Sequence, residues 1–338
     1  MNVLVTIFTV LIFPLNSSLF FLGDWVQGKE KEADASVFEN RKMELKVNRD
    51  EKFSLESVLP MTQFQPVRKE KKDDLILSDA HASVILDAGS GTILQYQNGK
   101  ERRQIASLTK MMTAVLVMER IKDLDEIVTI DENSVYVEGT KIGCPRSGYC
   151  ISLRMKVGEK ISVRNLLKAM LMNSANDAAT ALGIHIGGDM EKFVEIMNKR
   201  AKELGLYDTN FCTPSGLELD GRENECYSSA YDIGRVAVHS LKFDEMWKIF
   251  KLPSNTIIKS ADEKYEHIIL NTDEIVEEVP NFLGGKTGFT PLAGRSLLVA
   301  VQNPTKEHTI VCVLLDDPYR WQDIKTMINW TFDSYSWQ

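Results

Sequence analysis

The sequence predicts an α/β fold of the α+β type, in which an antiparallel sheet drawn from both ends of the chain packs on helices from its middle. Three observations point there. Short β-prone runs occur early, at 82–87 (ASVILD) and 92–96 (TILQY). Three more come late, at 282–290, 296–302 and 308–315. Between these groups the apolar residues recur at helical spacing.

Taken in order, the first two runs flank Ala88-Gly89-Ser90-Gly91, a spacing that predicts a hairpin. Residues 107–121 (SLTKMMTAVLVMERI) are apolar on nearly every face after the first turn, which fits a helix inside the domain. Lys110 is therefore expected in an apolar setting. Helices are predicted at 163–172 and 177–186, with Asn173-Ser174-Ala175-Asn176 as a polar corner between them. An amphipathic helix at 190–204 ends at Gly205, another covers 229–240, and a last one covers 319–332.

The chain has 338 residues, 43% hydrophobic and 26% charged, which suits one large globular domain with extras. A net charge of −8 and a pI near 5.3 provide no broad basic field, so no nucleic acid partner is expected. The composition divides the chain into an apolar leader at 1–22, a charged tether at 23–75 and a folded domain at 76–338. The leader reads either as a cleaved signal or as a retained membrane anchor, and both would export the folded domain. The tether has no continuous apolar face; a solvated, mixed-charge helix is its alternative reading.

Three short motifs carry chemistry. In S-L-T-K, Ser107 and Lys110 are three apart on a helix, so a hydroxyl and an amine meet on one face. A serine needs a base to take its proton, and burial can lower a lysine's pKa enough to supply one. Alone the pattern is weak, since roughly one S-x-x-K per chain of this size arises by chance. Ser174-Ala175-Asn176 can relay a proton through Ser174 and hold an amide through Asn176, although a plain helix cap also explains it. Lys286-Thr287-Gly288 lies in a predicted strand, where a cation and a hydroxyl can meet a carboxylate and Gly288 admits close backbone approach. A protective lysine on an edge strand is the alternative there.

Together and in this order, S-x-x-K, S-x-N and K-T-G resemble the signature of penicillin-binding proteins and class A β-lactamases. From about Ala82 to Phe332 the chain further resembles the D-alanyl-D-alanine carboxypeptidases, the low-molecular-mass penicillin-binding proteins. The residues that carry this are ILDAGSGTIL, RRQIASLTKMMTA, VGEKISVRNLLKAMLMNSANDAATAL, AKELGLYDTNF, SAYDIGR and GGKTGFTPLAGRSLLVA. The resemblance implies a β-lactamase/transpeptidase-like fold with a mainly helical subdomain, and no metal or other cofactor. It implies Ser107 as acylated nucleophile, Lys110 as base, Ser174 as proton relay and Asn176 as amide anchor. Lys286 and Thr287 would receive a terminal carboxylate beside Gly288, with an oxyanion hole at the N–H groups of Ser107 and Phe289. The implied partners are a peptidoglycan stem peptide, β-lactams as covalent inhibitors, and a membrane through the leader.

Rival readings are a β-lactamase, an endopeptidase or transpeptidase of the same fold, and a noncatalytic wall-binding relative. The class A deacylating E-x-x-L-N motif does not occur between Asn176 and Lys286. The five histidines lack metal-ligand spacing, and Glu159, Asp177 and Asp232 read as caps or ion pairs. Cys144 and Cys150 bracket an insertion, CPRSGYC, whose Pro145 and Gly148 favour a turn; Cys212 and Cys226 bound a loop whose ends can return together. Two local disulfides are therefore expected, with Cys312 free in an apolar run; five reduced thiols are the alternative.

Overall fold

A computed structural model describes residues 64–145 and 148–338. The expected leader at 1–22 and the tether up to residue 63 lie outside the described residues. Along the chain run strands β1 (Pro66–Arg68), β2 (Ala82–Asp87) and β3 (Ile93–Gln97), then helix α1 (Lys110–Arg120), β4 (Ile127–Thr129), α2 (Glu132–Val135) and β5 (Lys160–Ser162). Helices α3 (Val163–Met172), α4 (Asn176–Gly187), α5 (Met190–Glu203), α6 (Ala230–Ser240) and α7 (Asp244–Phe250) come next. The chain continues with β6 (Thr256–Lys259), β7 (Glu266–Ile269), β8 (Phe282–Thr290), β9 (Gly294–Gln302), β10 (Thr309–Leu315), α8 (Arg320–Ser334) and β11 (Tyr335–Trp337).

The main sheet is antiparallel in the order β3-β2-β10-β9-β8, so strands from both chain ends interleave. Its inner strands are buried on both faces, and the period-2 alternation sorts their side chains between two cores. Val84, Leu86, Val311 and Val313 join the larger core with α1, α3 and α6. Ile85, Ile310, Cys312 and Leu314 join a second core capped by Ile324, Met327 and Ile328 of α8. The sheet is thus covered by helices on both sides. α1 is enclosed: Lys110 through Val117 are all buried, so its nearly uniform apolar surface is core.

The structure departs from expectation at the first turn of the 107–121 segment. Ala106–Thr109 form a 3-10 turn, and regular α-helix begins only at Lys110. Ala106 stands at φ 47°, in the left-handed region, and this turns the chain sharply into the helix. The antiparallel pairs β4–β5 and β6–β7 and the helices α2 and α7 fall in stretches for which no element was predicted. Among the described residues, no helix is long and apolar enough to cross a membrane.

Residues 64–75, assigned to the tether by composition, are attached to the domain. β1 pairs with β11, Gln65 and Gln338 exchange backbone hydrogen bonds, and Lys69 N–H donates to Ser334 O. Trp330 Nε1 donates to Asp73 O. A three-residue strand flanked by charges has no readable pattern of its own, and its partner lies at the far end of the sequence. A chain trimmed to begin at Leu75 loses this pairing and is expected to unfold about 2 kcal/mol more easily than one beginning at Phe64. Urea titration of the two checks this, and equal midpoints would show that β1 contributes nothing.

Candidate active site

A cleft of about 1450 Å³ is lined by Ser107, Ser174, Asn176, Gly216, Thr287, Gly288, Phe289 and Arg320, among others. This exceeds the roughly 300–1,000 Å³ of pockets for drug-sized ligands. All three motifs meet there.

Ser107 sits in the 3-10 turn that leads into α1. Side chains three apart are eclipsed in a 3-10 helix, so its hydroxyl lies directly over Lys110, with Oγ to Nζ 2.7 Å. The strained Ala106 precedes the serine, and such strain persists where surrounding structure fixes it. Lys110 is fully buried. Among the described residues its Nζ has three hydrogen-bonding neighbours: Ser107 Oγ, Asn176 Oδ1 at 2.7 Å and Ser215 O at 2.8 Å.

These neighbours define the proton arrangement. Asn176 Nδ2 donates to Glu138 O at 2.8 Å, which fixes the amide so that Oδ1 faces the lysine. Asn176 Oδ1 and Ser215 O can only accept, while Ser107 can donate or accept. A neutral amine has two N–H groups for the two pure acceptors and one lone pair for the serine proton. Burial pushes the Lys110 pKa well below the usual lysine range, and nearby Lys286 pushes in the same direction, against the opposing charge of Asp177. Ser215 O is a backbone group that no side-chain motif reveals. It belongs to the loop closed by Cys212 and Cys226, with Pro214 O accepting from Thr113 Oγ1.

The S-A-N corner joins α3 to α4, with Ser174 at φ 56°. Its neighbours pin it to the preceding loop: Thr140 Oγ1 donates to Ser174 O, Asn173 Nδ2 to Lys141 O, and Asn176 N–H to Thr140 O. Ala175, not Ser174, occupies the cap position of α4, and no side chain caps it. Ser174 lines the cleft, yet among the described residues its hydroxyl makes no hydrogen bond to Lys110 or Ser107. The relay contact is therefore not formed in this structure. Asn176 holds Lys110 through its carbonyl, donates to Glu138 O, and keeps one amide N–H for a ligand.

K-T-G lies on β8, the edge strand of the main sheet. The approach to the nucleophile is close: a Cβ on Gly288 would stand 2.9 Å from Ile105 O, so a side chain there would push the strand off the Ser107 turn. Lys286 is fully buried, its Nζ donating to Thr287 O at 3.0 Å. Burial lowers its pKa to about 7, with Asp273 opposing the shift and Arg320 adding to it. Thr287 Oγ1 pairs with Thr272 Oγ1 at 2.9 Å and faces the cleft. Phe289 is 62% exposed on the same wall. Sequence reasoning missed Arg320, the first residue of α8, whose Nη1 donates to Gly288 O at 3.3 Å. It lies beyond K-T-G in no motif, and only the sheet's return path brings it to the cleft.

Cys144 is bonded to Cys150 and Cys212 to Cys226, while Cys312 is free and buried. Pro145 and Tyr149 bring the first disulfide loop to the cleft rim. Glu159 pairs with His267 at 2.7 Å in the interior, Asp177 accepts from Ile142 N–H, and Asp232 accepts from Asp208 N–H. These three acids serve structure. Among the described residues no three His, Cys, Asp or Glu side chains converge as metal ligands.

The sequence model of the D-alanyl-D-alanine carboxypeptidase family matches residues 68–318. The chain is 30% identical over 271 residues to D-alanyl-D-alanine carboxypeptidase DacF of Bacillus subtilis, covering 78% of this chain and 65% of that one. It spans 61 to 65% of the length of the first curated relatives it matches. The crystal structure of a D-alanyl-D-alanine carboxypeptidase from Mycobacterium tuberculosis superposes with a TM-score of 0.68 at 26% identity, over 79% of this chain and 96% of that one. Penicillin-binding protein D2 of Listeria monocytogenes, in its ampicillin-bound form, gives 0.64 at 26% identity over 77% and 100%.

The geometry around Lys110 makes Asn176→Asp informative. A carboxylate in place of the amide would hold Lys110 as an ammonium to higher pH. Acylation of Ser107 by a serine-directed electrophile at pH 7 is expected to slow roughly tenfold or more, with its acid limb moved upward. An unchanged rate, read by mass spectrometry of the modified serine, would show that Lys110 does not act as the base.

Proposed function

The chain belongs to the D-alanyl-D-alanine carboxypeptidase family, and from that premise we propose that it is a serine peptidase removing the terminal D-alanine from peptidoglycan stem peptides. The observation that carries the reading is the 2.7 Å contact between Ser107 Oγ and a fully buried Lys110 Nζ. Burying an amine without a carboxylate partner is costly. A protein that merely bound wall peptides would gain nothing from that cost, whereas a base gains its function from it.

In the proposed reaction the peptide lies along the edge of β8, with its terminal carboxylate toward Thr287, Lys286 and Arg320. Its scissile carbonyl then stands at Gly288, level with Ser107. Lys110 takes the serine proton as Oγ attacks, and the backbone N–H groups of Ser107 and Phe289 stabilise the oxyanion. The bond to the last residue breaks, D-alanine leaves with a proton returned from the lysine, and water releases the shortened peptide from the acyl-serine. Ser174 stands on the cleft wall where a rotation of its hydroxyl would pass that proton to the leaving amine. β-Lactams, which also pair a reactive carbonyl with a carboxylate, are expected to acylate the same serine and stay bound.

We place the domain outside the cytoplasmic membrane, held or exported by the apolar segment at 1–22. Two disulfides suit an oxidising compartment, and the substrate is a wall polymer.

Incubation with a pentapeptide ending in D-Ala-D-Ala is expected to release D-alanine, and Ser107→Ala to abolish release. Thr287→Val or Arg320→Ala should cost roughly 1.5 to 3 kcal/mol in kcat/KM by removing a charge-assisted contact. Amidating the peptide's terminus should do likewise, and an unaltered rate for the amide would overturn the carboxylate assignment. The pH dependence is set by the two lysines. kcat/KM should rise as Lys110 loses its proton, then fall above about 7 as Lys286 loses the charge that attracts the carboxylate.

A further inference from the structure

Lys286 is buried with a single hydrogen bond, to Thr287 O, and among the described residues no carboxylate forms an ion pair with it. A lysine so placed loses its proton unless some negative charge acts on it. The structure supplies one on the other side of its own strand. Asp273 is 8% exposed; its Oδ1 accepts from Ile275 N–H at 3.1 Å, while its buried Oδ2 has no partner among the described residues.

That orphaned oxygen rests on β8 at Gly285, where an added Cβ would stand 2.3 Å from it and 2.9 Å from Leu298 O. Gly284 and Gly288 face the opposite way, the first toward Phe250 and Trp247, the second toward Ile105 and Leu108. Strand side chains alternate, so Lys286 shares their face and Asp273 lies on the other. At Gly285 no side chain stands between the carboxylate and the strand backbone. Thr272, next to Asp273, fixes the loop through Thr287 Oγ1 and through Met172 O, which accepts from its N–H.

We propose that Asp273 is a positioning residue of the carboxylate subsite: across the bare backbone at Gly285 it is the counter-charge that keeps Lys286 an ammonium, able to receive the substrate's terminal carboxylate. This rests on the peptidase reading above. The other groups acting on Lys286 and Asp273 are cationic Arg320 on α8, Lys110 on α1 and acidic Glu274 beside Asp273. Arg320 disfavours the ammonium, Lys110 as a neutral amine adds no charge, and of the carboxylates Asp273 is the one that acts on Lys286 itself. Burial raises Asp273 to about 6 and lowers Lys286 to about 7, so both are charged between those values. Removing the carboxylate lets Lys286 fall further. The ammonium is then lost at lower pH, while below about 6, where Asp273 is already neutral, nothing changes.

The test measures two rates from pH 5 to 9 in the full chain: kcat/KM for D-alanine release, and the second-order rate of acylation by benzylpenicillin, which carries its own carboxylate. In Asp273→Asn the alkaline limb of both should move down by roughly half a unit or more, about a threefold loss at pH 8, with no change at pH 5. Asp273→Ser, which keeps an acceptor for Ile275 N–H without charge, should do the same and serves if the asparagine variant does not fold. In a Lys286→Arg background the substitution should no longer move the limb, because a guanidinium does not titrate there. Limbs that stay in place while thermal stability drops would reduce Asp273 to a turn residue and overturn the proposal. If benzylpenicillin acylates the protein but no D-alanine is released, the peptidase reading fails, and the acylation profiles still decide the role of Asp273.

Discussion

The active site depends on one buried amine. Lys110 lies at the start of a helix enclosed on all sides, and its Nζ meets two fixed acceptors and one hydroxyl. Satisfying it requires three separate parts of the chain to arrive together: the 3-10 turn with Ser107, the α3–α4 corner with Asn176, and the disulfide-closed loop with Ser215. Each part is in turn tied down by bonds that do not touch the substrate, such as Asn176 Nδ2 to Glu138 O and Thr113 Oγ1 to Pro214 O. A preorganised base needs such support, because its value lies in holding its geometry and its low proton affinity before the substrate arrives.

The sheet provides the other half. Interleaving early and late strands leaves β8 at the edge of the sheet, along which the proposed peptide would lie. The same topology returns the chain through β9 and β10 to α8, so that Arg320 reaches Gly288 O beside the nucleophile. The charge of Lys286 helps keep Lys110 neutral, and that charge depends in turn on burial, Asp273 and Arg320. The division of labour we propose for them, base and carboxylate receiver, would arise from burial and neighbours and not from any difference between the side chains.

Much of this was legible in the sequence because it is local. Ser107 and Lys110 are three apart, the β-prone runs of β2, β9 and β10 divide their side chains between two cores, and the enclosed helix announces itself by having no polar face. The signals that failed are those without a local pattern. Ser215 acts through its carbonyl, which every residue possesses. Arg320 and Asp273 belong to no motif, and their positions depend on how the strands return. β1 is three residues long and is defined by its partner at the other end of the chain. The first turn was expected to be α-helical from its spacing alone; the left-handed Ala106 makes it 3-10, which brings Ser107 over Lys110 more directly.

The central claim is that Lys110 can stand as a free amine, ready to take the serine proton. It is tested most directly by monitoring the Lys110 side chain in the resting protein by nitrogen-15 NMR through a pH titration, assigned by its loss in Lys110→Arg. The account predicts a midpoint well below the ordinary lysine value of about 10.4. An ammonium that persists up to that ordinary value would contradict it.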